Sequence, residues 1–135
     1  MPYSARRIMK LNPDDDSLSR VGDDLGEGGF KYCGTVVGND DCLYGIPNFA
    51  KRIIKFDPTN PDTTSTVGEE AEKWFCCGNG VLGGDGDIYV ANEFGQVLQI
   101  DSTTSSDYTW NGDRIYSGNG KGWGDPIVGV NKCFY

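Results

Sequence analysis

Val36-Val-Gly-Asn-Asp-Asp-Cys-Leu-Tyr44 (VVGNDDCLY) returns twice along the chain, as VLGGDGDIY (Val81 to Tyr89) and IVGVNKCFY (Ile127 to Tyr135). Each copy runs from a short apolar, β-branched stretch through a Gly-led polar turn to a second apolar stretch ending in tyrosine. That is the pattern of two short strands joined by a tight turn. A phrase repeated at wide spacing also sets the fold class, because a fixed period of 20–50 residues marks a repeat architecture.

Working outward, the residues after the tyrosine repeat too. YGIPNFAKRIIKFDP (Tyr44 to Pro58) matches MPYSARRIMKLNP (Met1 to Pro13) at an offset of 45, with Pro47 on Pro2, Ala50 on Ala5, Arg52 on Arg7, Ile53 on Ile8, Lys55 on Lys10 and Pro58 on Pro13. YVANEFGQVLQID (Tyr89 to Asp101) follows with one residue deleted, placing Phe94 on Phe49, Leu98 on Ile54 and Asp101 on Asp57. A third block, TSTVGE (Thr64 to Glu69), is echoed by LSRVGD (Leu18 to Asp23) and YTWNGD (Tyr108 to Asp113). Within one unit four short strands are expected, over Thr35 to Val37, Leu43 to Ile46, Ile53 to Phe56 and Ser65 to Val67. No window has convincing helical spacing; Glu69 to Phe75 comes nearest and is short. Four short antiparallel strands in a repeated unit predict an all-β fold of β-propeller blades. A β-helix would have shorter coils, and a β-sandwich would not repeat its sequence.

The repeats resemble those of the NHL and SMP-30-like propellers. They are most similar to uncharacterised protist, diatom-type repeats carrying DGCIYGIP…RIxKxDP. The resemblance covers nearly the whole chain and implies an architecture without implying an activity, since propellers host many functions. Residues 1–34 supply the third and fourth strands of one blade. Residues 35–79 and 80–126 are complete units, and 127–135 supply a first and second strand. Head and tail together make the third blade. Three blades cannot close a ring, for which about four to eight are needed. The expected partner is therefore another copy of the chain, through a seam of Ile8, Met9 and Leu11 with Val128, Val130, Phe134 and Tyr135. The product is a six-bladed homodimer or an open filament. The alternative is a segment excerpted in phase from a longer array.

The b–c and d–a loops (those joining the second strand to the third, and the fourth to the next unit) share one end of the sheets. Trp74, Phe75, Trp123, Asn92, Glu93 and Asp125 fall there, beside Phe30 and Tyr32. Aromatics beside carboxylates and amides suit a glycan or peptide ligand. Against this, Phe30, Trp74 and Trp123 occupy one repeated position, where they would wedge between blades.

Composition narrows the function further. The 135 residues carry a net charge of −8, which excludes the basic patches that nucleic acid or an anionic membrane requires. There is no histidine, so the usual triads and His-ligated metals are absent. Carboxylate pairs of glycosidase type remain, but no acid stands out by spacing, and neither catalytic residue, metal nor cofactor is expected. GGDGD (Gly83 to Asp87) resembles a calcium-loop fragment. Its counterparts GNDD (Gly38 to Asp41) and GVNK (Gly129 to Lys132) favour one shared turn instead. Asp14 to Asp16 read as a solvated rim loop. Cys33, Cys42, Cys76, Cys77 and Cys133 contain no CxxC pair, and buried thiols or two disulfides with a spare are both open. No leader-like apolar run is present, and the cysteines tilt the compartment towards the extracellular side.

Overall fold

The structure, a computed structural model, describes residues 1–71, 77–92, 94–104 and 107–112, the Cys77 side chain excepted. Among these residues there is no helix, and ten strands fall into three antiparallel sheets. Sheet 1 holds β1 (Ile8–Leu11) and β2 (Leu18–Val21). Sheet 2 holds β3 (Tyr32–Val37), β4 (Leu43–Pro47), β5 (Ile53–Phe56) and β6 (Ser65–Val67) in that spatial order. Sheet 3 holds β7 (Cys77–Leu82), β8 (Ile88–Asn92), β9 (Val97–Ile100) and β10 (Tyr108–Asn111), likewise in order.

The registers of sheets 2 and 3 coincide once the repeat is aligned. Tyr44 lies opposite Lys55 and Tyr89 opposite Gln99; Leu43 faces Phe56 and Ile88 faces Ile100. The first strands begin earlier than expected, at Tyr32 and Cys77 rather than Thr35 and Gly80. In each, the register shifts just before the expected start, between Tyr32 and Gly34 and between Cys77 and Gly80. A bulge lets a strand continue through glycine-containing sequence that otherwise reads as loop.

Sheets 2 and 3 meet across one apolar core. Val36, Tyr44, Ile46, Ile53 and Val67 come from sheet 2, and Ile88, Val90, Leu98 and Ile100 from sheet 3. The inner strands approach closely: a Cβ added at Gly34 would sit 3.0 Å from the Asn79 Cα. The Cys33 thiol donates to the Gly78 carbonyl at 3.3 Å. Tyr44 donates its hydroxyl to the Ser102 carbonyl (3.4 Å), and the Asn39 N–H donates to Ser102 Oγ (3.1 Å). Ser102, wholly buried, in turn donates to the Gly86 carbonyl.

Sheet 1 lies on the other flank of sheet 2. The Gly22 N–H donates to the Pro61 carbonyl at 2.7 Å, and Asp23 accepts from the Thr64 N–H and hydroxyl at 2.7 and 2.9 Å. The same junction recurs between sheets 2 and 3, where Tyr108 packs on Gly68 and donates to the Glu69 carbonyl. Gly22, Gly68 and Gly112, which each follow a fourth strand, all have left-handed backbone with φ of 73°, 67° and 84°. A side chain there would be strained, which accounts for the Gly shared by the repeated VGD, VGE and NGD.

Candidate functional site

Three surfaces are candidates: the two ends of the sheets and the outer flank of sheet 1. At the first end lie the β1–β2, β3–β4, β5–β6, β7–β8 and β9–β10 connections. Here aspartates build the turns. Gly38 and Gly83 each accept a hydrogen bond from the residue three further on, Asp41 (3.2 Å) and Gly86 (3.1 Å), both left-handed. In one turn Asp40 accepts from the Cys42 N–H (3.2 Å) and the Tyr44 hydroxyl (3.1 Å); in the other Asp85 accepts from the Asp87 N–H (3.2 Å) and the Tyr89 hydroxyl (2.7 Å). Lys55 adds an ion pair to Asp40 at 2.5 Å. Burial, then the bond to Asp85, pushes the Tyr89 phenol up to about 12. The GGDGD phrase is thus the second copy of one Asp–Tyr turn. Among the described residues no three acidic or cysteine side chains converge as metal ligands.

The third-strand ends repeat as well. Asp57 accepts from the Thr59 N–H (2.8 Å) and hydroxyl (2.7 Å). Asp101 accepts from Thr103 in the same way and also from the Thr104 N–H (2.9 Å) and hydroxyl (2.5 Å). These side-chain turns stop the strand. The hydroxyl donors of Thr104 and Thr103 hold the Asp101 carboxyl well below the usual range. A cleft of about 430 Å³ opens beside them, lined by Asp85, Asp87, Gln99, Asp101, Thr103 and Asp107 among others. Asp14 to Asp16 are exposed, as a rim loop requires.

The opposite end is where ligand-facing residues were expected. Trp74, Phe75, Glu93, Trp123 and Asp125 lie outside the described residues. Asn92 is buried, and its side-chain oxygen accepts from the Phe94 and Gln96 N–H groups at 3.0 and 2.9 Å. It shapes the β8–β9 turn rather than presenting an amide to solvent. Tyr32 is also buried, and burial pushes its phenol up to about 12.

Phe30, in contrast, is half exposed. Its ring meets Tyr3 edge-on at 4.8 Å and Phe49 at 5.8 Å between centroids, and both of those rings are also more than two-fifths exposed. Backbone bonds join the three segments: Lys31 N–H to the Tyr3 carbonyl (2.8 Å) and Phe49 N–H to the Phe30 carbonyl (2.9 Å). The buried Lys31 ammonium fastens the preceding loop by donating to the Gly26 and Gly28 carbonyls at 2.9 and 3.0 Å. Arg6 pairs with Asp24 and Glu27 beside this cluster, and the first of these holds the Asp24 carboxyl down at about 2. Tyr3 and Phe49 were missed by sequence reasoning because positions 3, 30 and 49 share no local pattern.

The seam residues divide. Val128, Val130, Phe134 and Tyr135 lie outside the described residues. Ile8 is buried towards sheet 2, whereas Met9 and Leu11 are 71% and 57% exposed. Their counterparts in the complete sheets are almost wholly buried: Ile54 at 3%, Phe56 at 5%, Leu98 and Ile100 at 0%. Leu18, opposite Leu11, adds a third exposed apolar side chain to the same flank.

Comparison with protein-family models, with curated proteins and with solved structures found no match.

Proposed function

We propose that this chain is a β-propeller repeat module that works by association with further copies of itself, without enzymatic chemistry. The observation that carries the reading is the exposure of Met9 and Leu11. Two other sheets place the same repeat positions in the core, so the outer flank of sheet 1 has the apolar pattern of a surface against which another sheet packs. On this reading sheets 2 and 3 are complete blades and sheet 1 is the outer half of one. Exposed apolar side chains beside a strand edge that is unpaired among the described residues are a liability unless covered, and a second copy offers a cover built from the same repeat.

Light scattering tests this. The expected mass is two chains or a higher multiple of 14.7 kDa. The pair Met9→Asp and Leu11→Asp should weaken association by about 3 kcal/mol, roughly a hundredfold in the dissociation constant. A wild-type protein that stays monomeric at high concentration sinks the reading.

The rings of Tyr3, Phe30 and Phe49 favour a second reading, a binding face for a glycan or peptide. Half-exposed aromatic rings beside ion pairs offer both a stacking surface and hydrogen-bonding groups. Glycan and peptide arrays would then give hits that Phe30→Ala removes, and an array without hits would end this reading.

A further inference from the structure

The self-association reading leaves open where a second copy attaches, and the geometry of sheets 1 and 2 points to one place. β1 pairs with β2 along one edge only among the described residues. The equivalent strands β5 and β9 each carry a second partner on their other edge, β4 and β8. In both complete sheets the repeat tyrosine is the second residue of the partner strand and sits opposite the third residue of the next: Tyr44 opposite Lys55, Tyr89 opposite Gln99. The third residue of β1 is Lys10.

The flank of sheet 2 beside that edge is only partly covered. Gly22 of sheet 1 lies against Phe56 and Thr64, over the β5–β6 half. Met1 covers part of the β3–β4 half, at Thr35 and Gly45, and towards the turn Val37 is half exposed and Leu43 partly exposed. Ile88, the counterpart of Leu43 in sheet 3, is fully buried against sheet 2. The turn-side part of that flank and the β1 edge, unpaired among the described residues, meet at one corner, and two short strands joined by a turn would cover both.

We infer that the occupant is the segment Ile127 to Tyr135 of a second copy, with Tyr135 opposite Lys10 and Phe134 opposite Leu11. The segment has the length and pattern of VVGNDDCLY, the nine residues around the β3–β4 turn in sheet 2. A second copy is the source on the self-association reading, because three blades do not close a ring; the chain's own tail, which 14 residues could carry about 45 Å, is the alternative that the isotope labelling separates. The added pairing places Ile127, Cys133 and Tyr135, the counterparts of the core residues Val36, Cys42 and Tyr44, over Val37 and Leu43, sets Val128 and Phe134 beside Met9 and Leu11 on the outer flank, and extends the two-stranded sheet towards the four strands of its neighbours. This inference rests on the self-association reading, and it adds a register to it.

The test replaces Tyr135 by the photoreactive analogue p-benzoylphenylalanine in the full chain. That chain is mixed with ¹⁵N-labelled wild type, irradiated and digested for mass spectrometry. The expected product joins the unlabelled C-terminal peptide to the labelled peptide carrying Met9, Lys10 and Leu11. Light scattering on the same sample separates the two failures. A monomeric sample overturns self-association and this inference together. An associated sample whose adducts fall on other strands, within one chain only, or nowhere, overturns the register alone.

Discussion

Tyr44→Ala is expected to destabilise the fold by about 3–5 kcal/mol, as for other large aromatic truncations in a core. Against a typical total of about 5–15 kcal/mol, that is a large fraction. The ring is fully buried between sheets 2 and 3, and a Cβ added at Gly38 would come within 2.5 Å of it. Its removal leaves a cavity at the point where the β3–β4 turn meets Ser102. It also strips the Lys55 ammonium of an aromatic face 5.8 Å away, and Asp40 of one donor. Tyr44→Phe separates the parts, since it keeps the ring and removes only the hydroxyl, at a cost of about 1 kcal/mol. Thermal melts followed by circular dichroism at one protein concentration read both variants. Equal losses for Ala and Phe would place the energy in the hydroxyl and overturn the packing account.

Gly34→Val is the second large effect, with an expected loss of about 3 kcal/mol and a melting temperature lower by about 10 °C. Gly34 is where sheets 2 and 3 come closest, and any Cβ there meets Asn79 Oδ1 at 2.5 Å and the Asn79 Cα at 3.0 Å. The side-chain oxygen can turn away; the backbone of β7 cannot move without pulling Gly78 from the Cys33 thiol. Valine adds two methyl groups to that gap, so the sheets must part. Gly34→Ala should lie between valine and wild type. A valine variant that melts within about 2 °C of wild type would mean that the sheets are not held at this distance.

Much of the architecture was legible because the repeat multiplies weak local signals. One phrase such as VVGNDDCLY is ambiguous, but three copies, each ending in tyrosine, locate the turns and strands together. The strand spans at Ile8–Leu11, Ile53–Phe56 and Ser65–Val67 follow directly. The starts of β3 and β7 did not, because the glycines at 34, 78 and 80 look like loop, and the bulges that absorb them depend on the opposing strand. The acidic residues were legible as turns, but their partners were not: Asp85 reaches a tyrosine four residues on, and nothing local announces that bond. Asn92 reads as a loop amide from its type and position, and burial turns that amide inward. The cluster of Tyr3, Phe30 and Phe49 joins segments from two sheets, and only the packing of sheet 1 on sheet 2 brings them together.

The connectivity also governs how the chain folds. Among the described residues every strand pairs only with its neighbour in sequence, and no two paired strands are separated by more than residues 57–64. Each sheet is therefore a succession of hairpins, events of about 1–10 μs. Docking of one sheet on the next follows, at a separation of one repeat. The entropy of closing long loops, which slows sandwiches and parallel sheets, is small here. Stability then accrues sheet by sheet, as an intrinsic contribution from each plus one interface with its neighbour, in the manner of a linear array. A lesion in β9 should loosen sheet 3 first and reach sheet 1 only through the interfaces between.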